Sequence, residues 1–416
     1  MRLLVADIVD PVPLEELRLL NVEVVHDPSL TRETLADALA GVSGSGAEGG
    51  REPAPVGILV VRDTDVSAEA IERASALNLI VRLGGGSAVV DVAAASARGI
   101  YVAHCPGQSA ASVAELVFGL MVGLDRRLYE AHGDLRAGRW EHDTYAAESG
   151  LVGRRIGIVG LGAIGREVLV RARAFGLKPF AWSRSLTAAR AAKQEVGFAP
   201  SLERLAAQSE VLSIHLPLNA QTRGIVSRAV LEALPQGAIV INTARAELVD
   251  VDALLELAPR KGLRVGFDVF PAQPNEGSAS FSSPLASLPH ALCTPHLGAA
   301  TRQAQRTLAE EVVHVVRSFL TEEDVPNVVN VCAASPARYV VVLRQLDKVG
   351  ALANTLAVLK RHGINIEEIS NTVFDGARAV CTKLRVSGRP SESCLREIGA
   401  FEETLHVDLI PMPNRA

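Results

Sequence analysis

The feature that most constrains the fold of this chain is a glycine turn between an apolar run and a helix-forming segment. Residues Arg155–Gly160 predict a strand, and residues 166–175 predict a helix. Glycine lets the backbone turn tightly and approach a pyrophosphate, whose charge the amino terminus of a helix favours. This context predicts a dinucleotide site, and the simpler alternative is a turn that binds no ligand. The residues expected to contact the cofactor are Gly160, Gly162, Ala163, Ile164 and Gly165.

Two series of short apolar runs, separated by helix-length segments, predict two parallel sheets. Residues 154–294 contain six such runs, which matches a doubly wound dinucleotide-binding fold. The first 103 residues contain five more, interrupted by a Gly-, Ser- and Pro-rich stretch at 41–55 that predicts a mobile surface loop. The predicted strands are Leu3–Ile8, Val22–Val25, Val56–Val61, Leu79–Leu83 and Gly99–Ala103, then Arg155–Gly160, Lys178–Trp182, Val211–Leu216, Ala238–Asn242, Leu263–Asp268 and Ala291–Thr294.

Two long helical segments predict how the sheets are joined. Residues 109–137 carry apolar side chains over one broad face and predict one helix that links two lobes. Residues 299–320 predict a helix long enough to return to the first lobe. We therefore expect an α/β protein with a discontinuous lobe, residues 1–103 with 296–325, and a doubly wound Rossmann domain over residues 104–295.

The carboxyl-terminal segment predicts a further small domain. Residues 325–330 and 333–336 are typical of a linker. Residues 337–416 then follow the order strand, helix, strand, strand, helix, strand. This order is that of a ferredoxin-like domain.

Composition excludes several classes of protein. Of the 416 residues, 48% are hydrophobic and only 4% aromatic, which suits helices packed on parallel sheets better than a β-sandwich. The net charge is −5 and the basic residues are scattered, so nothing indicates nucleic-acid binding. No apolar run reaches the ~18 residues that a membrane span needs. The five cysteines are odd in number and form no CxxC pair, which argues against disulfides and metal and favours reduced thiols in a cytoplasmic protein.

A second cofactor signal lies about twenty residues beyond the glycine turn, at Ser183 and Arg184. NAD enzymes carry an acidic residue there to bind the ribose hydroxyls. Without that carboxylate, and with Arg184 available, a ribose 2′-phosphate is favoured. We therefore expect NADP in preference to NAD, and the alternative is that Arg184 is a solvated loop residue.

Arg245 and His296 are the expected catalytic side chains. Arg245 follows the run Ala238–Asn242, at the strand end where doubly wound folds bind ligands, and a guanidinium grips a carboxylate through two parallel hydrogen bonds. His296 follows the run Ala291–Thr294 and Pro295, and an imidazole moves protons to and from a carbonyl oxygen. Together with a dinucleotide they predict a dehydrogenase. The alternatives are an arginine that caps the sheet and a structural histidine.

Four segments resemble, in order and spacing, the D-2-hydroxyacid dehydrogenase family: the glycine turn, Ile241–Arg245, Asp268–Pro271 and Thr294–Gly298. This resemblance implies a flavodoxin-like substrate lobe beside the Rossmann domain, NAD(P) as the cofactor and a small 2-hydroxy or 2-oxo acid as the substrate. It also implies a homodimer or homotetramer, with the segment 109–137 as the interface.

The same resemblance implies roles for individual residues. Arg245 would bind and polarise the substrate, His296 would donate or accept the proton, and Asp268 would lie beside the nicotinamide. The substrate-side loops would contribute Arg62, Arg82, Gly84, Gly85 and Gly86.

Gln273 stands where the family carries a glutamate beside the histidine. A carboxylate there favours the imidazolium and raises its pKa, whereas an amide adds no charge. Three alternatives follow: His296 works with Gln273 alone, as in the similar formate dehydrogenases; Glu276 supplies the charge; or proton transfer is no longer used. We expect weakened acid–base chemistry. A nicotinamide-sensing binding protein is the competing function, which Gln273 supports and the intact Arg245 and His296 oppose.

The substrate is indicated less directly than the reaction. The layout resembles that of the phosphoglycerate-oxidising members of the family, so phosphoglycerate is the first expectation. Asp63, however, follows Arg62 where those members carry a serine, and a second anion repels a phosphate. Ala88, Val89 and Ser109 also replace residues typical of the family. Glyoxylate or hydroxypyruvate is the alternative.

The terminal domain resembles a regulatory ACT domain in the segments Asp347–Gly350 and His362–Ile366. By this resemblance an amino-acid effector would lie near Asn365 and the loop that begins at Gln345 and contains Asp347. Gln345 and Asp347 differ from the residues of serine-inhibited relatives. A domain used only for assembly is the alternative.

Overall fold

The computed structural model describes residues 1–7, 11–41, 55–85, 89–274, 279–321, 324–332 and 335–412. The chain divides into two compact units, Met1–Asn330 and Val331–Ala416. Most of the loop predicted at 41–55 lies outside the described residues, as do Gly86, Ala88 and Glu276.

The first unit begins with a parallel sheet of five strands. These are β1 (Arg2–Val5), β2 (Glu23–His26), β3 (Val56–Val61), β4 (Leu79–Arg82) and β5 (Tyr101–His104), and the helices between them are α1 (Pro11–Arg18), α2 (Arg32–Leu39), α3 (Ala68–Arg73) and α4 (Val92–Ala97). The strand order is β2-β1-β3-β4-β5, the flavodoxin-like order. All six residues of β3 are apolar because this strand is buried on both faces.

Three helices follow the first sheet: α5 (Ala110–Asp125), α6 (Leu128–Arg136) and α7 (His142–Ala146). The prediction of a single helix over 109–137 is wrong, because Arg127 adopts a left-handed backbone with φ of +50° that separates α5 from α6. The predicted apolar face belongs to α5 alone, which is buried along most of its length. By contrast, α6 has no buried residue.

The second sheet is parallel and has seven strands: β6 (Arg155–Val159), β7 (Lys178–Trp182), β8 (Gly197–Phe198), β9 (Val211–Ile214), β10 (Ile239–Asn242), β11 (Arg264–Phe267) and β12 (Ala291–Cys293). The helices between them are α8 (Ala163–Ala174), α9 (Ala188–Lys193), α10 (Leu202–Gln208), α11 (Arg228–Ala233) and α12 (Val251–Lys261). The order β8-β7-β6-β9-β10-β11-β12 is that of a doubly wound fold with one added edge strand.

The six strands predicted for this sheet are present, and the sequence analysis missed β8. That strand has only two residues, too few for a detectable alternation. It pairs with β7 at Phe180 and Ala181, where Gly197 packs against the Phe180 ring with no room for a side chain.

After the second sheet the chain returns to the first. Helix α13 (Arg302–Leu320) packs its buried residues, among them Leu308, Val312 and Val316, against apolar residues of β1 and β3. The next segment, predicted as a linker, instead lies along β5. Val328 pairs with Ala103, and the Asn330 side chain accepts a hydrogen bond from Val102 N at 2.9 Å. Asn330 thus satisfies an edge-strand amide that water would otherwise bind.

The second unit is a four-stranded antiparallel sheet with two helices. Its elements are β13 (Tyr339–Leu346), α14 (Ala351–Arg361), β14 (Ile366–Val373), β15 (Ala379–Val386), α15 (Glu392–Gly399) and β16 (Thr404–Pro411), in the predicted order. The strand order is β14-β15-β13-β16. Gln345, predicted to begin a loop, lies within β13 and is 3% exposed.

Among the described residues, none of the helices combines the length and apolar character required to cross a bilayer. All five cysteines are unpaired.

Candidate active site

The expected functional residues follow the carboxyl ends of neighbouring strands in the second sheet. The glycine turn follows β6, Arg245 follows β10, Asp268 follows β11 and His296 follows β12. These strands run parallel, so their carboxyl ends meet at one edge of the sheet, where such folds bind ligands.

The glycine turn has the shape that a pyrophosphate requires. Gly160 has φ of +96°, and a Cβ on it would lie 2.5 Å from the His215 carbonyl oxygen. A Cβ on Gly165 would collide with the Gly160 carbonyl oxygen, so α8 packs closely on the turn. Gly162 is the N-cap residue of α8, and it has no side chain to accept a hydrogen bond from the first amides of the helix. The space where its Cβ would lie is open. The first amides of the helix, from Ala163 and Ile164 onward, therefore fit a dinucleotide phosphate.

Ser183 and Arg184 directly follow β7, and residues 183–187 include no carboxylate. The Arg184 guanidinium donates a hydrogen bond to Gln221 Oε1. The Asn219 side chain accepts hydrogen bonds from the backbone N–H groups of Gln221 and Thr222, at 2.9 and 3.1 Å. Arg184 is thus held against an ordered loop at the place predicted for the adenosine ribose.

Arg245 is supported by a buried asparagine that the sequence analysis did not single out. Asn242, which has no solvent exposure, accepts a hydrogen bond from Ala244 N at 3.0 Å and donates one to Arg245 O at 2.8 Å. The Arg245 side chain is exposed and donates to Ala244 O at 2.6 Å. A polar residue at the end of the apolar strand β10 was the available signal.

His296 lies in an unusual backbone conformation that Asp268 holds. Its φ is +55°, in the left-handed region. The fully buried Asp268 carboxylate accepts hydrogen bonds from Thr294 Oγ1 at 2.6 Å, Leu297 N at 2.7 Å and Gly298 N at 2.9 Å. Both carboxylate oxygens therefore stabilise the loop that carries His296. The expected proximity of Asp268 to a nicotinamide stays a prediction.

Gln273 contacts His296 directly. The Phe270 N–H, which can only donate, points at one end of the Gln273 amide at 3.0 Å, so that end is Oε1. The Gln273 NH2 group then faces His296 Nδ1 at 2.5 Å and donates to it. Nδ1 is consequently an acceptor, and the neutral imidazole carries its proton on Nε2. In the described part of the chain, no group hydrogen-bonds to Nε2.

The electrostatics around His296 keep it neutral. Burial lowers the pKa of His296 below its ordinary value of 6.5, and the positive charges of Arg245 and Arg62 lower it further, against the negative charges of Asp268 and Asp63. Arg245 and His296 follow β10 and β12, which lie on either side of β11, so both residues stand at the same edge of the sheet.

Asp7, directly after β1, holds the loop that follows β3. Its carboxylate accepts hydrogen bonds from Arg62 N at 2.6 Å, Asp63 N at 3.3 Å, Thr64 N at 3.2 Å and Thr64 Oγ1 at 3.0 Å. The sequence analysis did not single out Asp7, which lies within the predicted strand Leu3–Ile8. An acidic residue at the carboxyl edge of a buried strand was the signal.

Arg82 joins the two substrate-side loops. Its Nε donates to Arg62 O at 3.2 Å and its Nη1 to Gly85 O at 2.6 Å. Gly84 has φ of +131°, and a Cβ there would lie 2.7 Å from Arg82 Nη1, whereas Gly85 faces open space. The Asp63 carboxylate lies 3.4 Å from Arg62 Nε and 3.9 Å from Arg82 Nη2.

The three predicted effector residues differ in exposure, and their binding of an effector stays a prediction. Gln345 is buried in β13, Asp347 is exposed, and Asn365 donates to Glu367 Oε1 at 2.8 Å. Within the described ranges, no group of His, Cys, Asp and Glu residues is arranged to hold a metal ion.

Known proteins share these features. A family model for the NAD binding domain of D-isomer specific 2-hydroxyacid dehydrogenases matches residues 118–298. A hydroxypyruvate reductase of Thermotoga maritima is 37% identical over 263 residues, which cover 63% of this chain and 84% of that relative. A D-3-phosphoglycerate dehydrogenase of Methanocaldococcus jannaschii is 34% identical over 275 residues, which cover 66% of this chain and 51% of that relative. The chain thus spans about half the length of the phosphoglycerate dehydrogenases that it matches.

Among solved structures, the TT0316 protein of Thermus thermophilus superposes with a TM-score of 0.67 at 33% sequence identity, covering 79% of this chain and 100% of that chain. The sequence match extends across the glycine turn, Arg245, Asp268 and His296, which the fold places at one sheet edge. From this agreement of sequence, fold and site geometry, the chain belongs to the D-isomer specific 2-hydroxyacid dehydrogenase family.

Proposed function

We propose that this chain is an NAD(P)-dependent D-2-hydroxyacid dehydrogenase that acts on small 2-hydroxy acids and their 2-oxo partners. The observation that carries the proposal is that Arg245 and His296 stand at the same sheet edge as the glycine turn. A carboxylate-binding cation, a proton-transfer group and a dinucleotide cradle are the parts that this reaction needs.

In the proposed reaction, the Arg245 guanidinium binds the substrate carboxylate and withdraws charge from the adjacent carbonyl group. The glycine turn and the first amides of α8 would hold a nicotinamide dinucleotide, which would supply the hydride for C2. The imidazolium form of His296 gives the proton on Nε2 to the carbonyl oxygen, which becomes the hydroxyl group. Asp268 and Asn242 position these two side chains through the backbone.

Gln273 weakens proton transfer by His296 in both directions. Oxidation of a hydroxy acid needs a lone pair on His296 Nε2, and the tautomer that offers it carries its proton on Nδ1. Reduction needs the imidazolium, which also carries a proton on Nδ1. In both cases that proton would meet the Gln273 NH2 group. The low pKa of His296 makes its imidazolium the minor form at neutral pH.

Arg184 supports NADP as the preferred cofactor within this proposal. The contact with Gln221 orders its guanidinium, and residues 183–187 offer no carboxylate to repel a phosphate. Arg184→Gln is expected to weaken NADPH binding by about tenfold or more and to leave NADH binding unchanged, since one charged hydrogen bond is lost. Arg204→Gln, on the exposed face of α10, is the control. Equal loss for both cofactors contradicts the assignment.

Two substrates are supported by the names of relatives: hydroxypyruvate and 3-phosphoglycerate, the latter with 3-phosphohydroxypyruvate as its oxidised form. The two substrates differ in charge, so the charged residues at the substrate end of the cleft distinguish between them. Glyoxylate, like hydroxypyruvate, is a small 2-oxo acid with a single carboxylate.

The experiment that tests the proposed function is a matrix of NADH and NADPH against glyoxylate, pyruvate, hydroxypyruvate and 3-phosphohydroxypyruvate. Turnover of at least one 2-oxo acid is expected, and Arg245→Gln should lower kcat/KM by about a hundredfold. Arg228→Gln, whose side chain pairs with Glu256, is the control. Tight NADPH binding with no turnover of any 2-oxo acid would instead support a nicotinamide-sensing binding protein.

For the second unit, the proposed role is that of an ACT domain that binds an amino-acid effector, with assembly alone as the competing role.

A homodimer is the proposed assembly. Its interface would be formed by exposed apolar side chains on α6 and in the segment that follows it, which include Leu128, Tyr129, Leu135 and Trp140. Added serine should change the rate or the Tm, and sedimentation should give twice the mass of one chain. The absence of both effects would remove these two roles and leave the reaction unaffected.

A further inference from the structure

Asp63 lies at the substrate end of the cleft with a partly exposed carboxylate. Its side chain is 55% exposed, and its charge raises the pKa of His296 while that of Arg62 lowers it. The carboxylate lies 3.4 Å from Arg62 Nε and 3.9 Å from Arg82 Nη2, the two arginines expected on the substrate side of the cleft. A 2-oxo acid that binds between these arginines and His296 would extend toward Asp63.

The backbone of Asp63 is fixed. Asp7 accepts hydrogen bonds from the N–H groups of Arg62, Asp63 and Thr64, which hold the backbone of this loop. The two ion pairs of Asp63, with Arg62 and Arg82, hold its carboxylate from the other side.

The arginines near Asp63 are already engaged. Arg82 is only 15% exposed and donates to two carbonyl oxygens, which leaves a single nitrogen toward Asp63. Arg62 pairs with Asp63 through Nε. Arg245 remains for the carboxylate of the substrate. A second anionic group would therefore compete with Asp63 for Arg62 and be repelled by it.

We propose that Asp63 makes the cleft selective for 2-oxo acids with one negative charge, and against those with a phosphate or a second carboxylate at C3. This inference rests on the proposed function and names the substrate class of the same site.

The test compares kcat/KM for hydroxypyruvate with that for 3-phosphohydroxypyruvate, and for pyruvate with that for oxaloacetate. Wild type should prefer the monoanion of each pair by about a hundredfold, and Asp63→Asn should reduce that preference by about tenfold by improving the dianion. The Asn side chain keeps the shape of Asp63, so Arg62 loses only the charge of its partner.

Asp65→Asn is the matched control, because it removes a carboxylate from the same loop that pairs with Arg32 instead. It should leave both substrate ratios unchanged. A wild-type preference for the phosphorylated substrate overturns the inference. So does an Asp63→Asn variant whose ratios equal those of wild type.

A binding measurement separates this inference from the proposed function. With NADPH present, the monoanion oxamate should raise the Tm of wild type more than the dianion tartronate does, and Asp63→Asn should gain a tartronate shift. If no 2-oxo acid is turned over but Asp63→Asn gains the tartronate shift, the proposed reaction fails and the role of Asp63 stands. If Asp63→Asn gains no tartronate shift, the role of Asp63 fails whatever the activity.

Discussion

The Gln273 side-chain NH2 group donates a hydrogen bond to His296 Nδ1 at 2.5 Å, while its Oε1 accepts one from Phe270 N at 3.0 Å. The backbone thereby determines which end of the amide meets the imidazole. An imidazolium, with a proton on both nitrogens, would place that proton against the NH2 group. Gln273 and the burial of His296 therefore act together to keep the ring neutral.

Replacing Gln273 by glutamate should raise the pKa of His296, because a carboxylate accepts from the Nδ1 proton that the amide opposes. Reduction by an imidazolium is lost as the pH rises through the pKa of His296. The reductive kcat/KM of the Gln273→Glu variant should therefore persist to higher pH than that of wild type. Profiles of rate against pH measure the shift. Gln303→Glu, at an exposed position of α13, is the control. Superimposable profiles for wild type and Gln273→Glu would show that the contact does not govern proton transfer.

Replacing Asp268 by asparagine should destabilise the protein and weaken catalysis. The NH2 group of the asparagine would face the N–H and O–H groups of this loop, which are also donors. A buried polar group would then be left without a partner, at a cost of about 1–3 kcal/mol. Loss of the negative charge should also lower the pKa of His296 further. Urea unfolding measures the first effect and the pH profile of reduction the second. Thr294→Val, which removes a single donor, should produce a smaller loss of stability and no shift of the profile. An unchanged pH profile for Asp268→Asn would leave Asp268 a purely structural role.

Two glycine substitutions should separate folding from cofactor binding. Gly162→Ala places a methyl group in open space at an ordinary φ of −79°, so it should leave stability unchanged and weaken NADPH binding by about tenfold or more. Gly165→Ala directs its methyl group at the Gly160 carbonyl oxygen and should lower the free energy of unfolding by about 1–3 kcal/mol. Calorimetry and cofactor titration give both quantities. Full NADPH affinity in Gly162→Ala would mean that the phosphates do not lie over this turn.

His215 should make the stability depend on pH. It is buried after β9, its Nδ1 has no partner, and burial lowers its pKa from 6.5 to about 3. Above pH 6.5 the ring is neutral in both states and contributes no dependence. Below that pH the unfolded chain binds a proton that the folded protein cannot, so the free energy of unfolding falls by about 1.4 kcal/mol per pH unit.

His215→Gln should flatten the slope between pH 6.5 and about pH 5, as followed by denaturant unfolding at each pH. His142→Gln is the control, because that side chain is 67% exposed. Equal slopes in His215→Gln and wild type would assign the acid sensitivity to other groups.

The sequence determined the local elements of this protein. Strand β7 was predicted with its observed ends, and the glycine turn between β6 and α8 was recognised, because apolar periodicity and glycine conformational freedom act over a few residues. The same local information failed at Arg127, where a left-handed backbone interrupts an otherwise continuous helical pattern. It also failed at β8, which exists only because β7 offers an edge to pair with.

Only the tertiary structure decided the contacts that give the site its chemistry. Whether Gln273 presents oxygen or nitrogen to His296 depends on the Phe270 amide, and the backbone of the loop that carries Asp63 is held by Asp7, which follows a different strand. Such contacts join loops that are distant in sequence, so their geometry follows from strand order and packing. The sequence therefore determined which side chains stand at the sheet edge, and the fold decided which of their atoms meet.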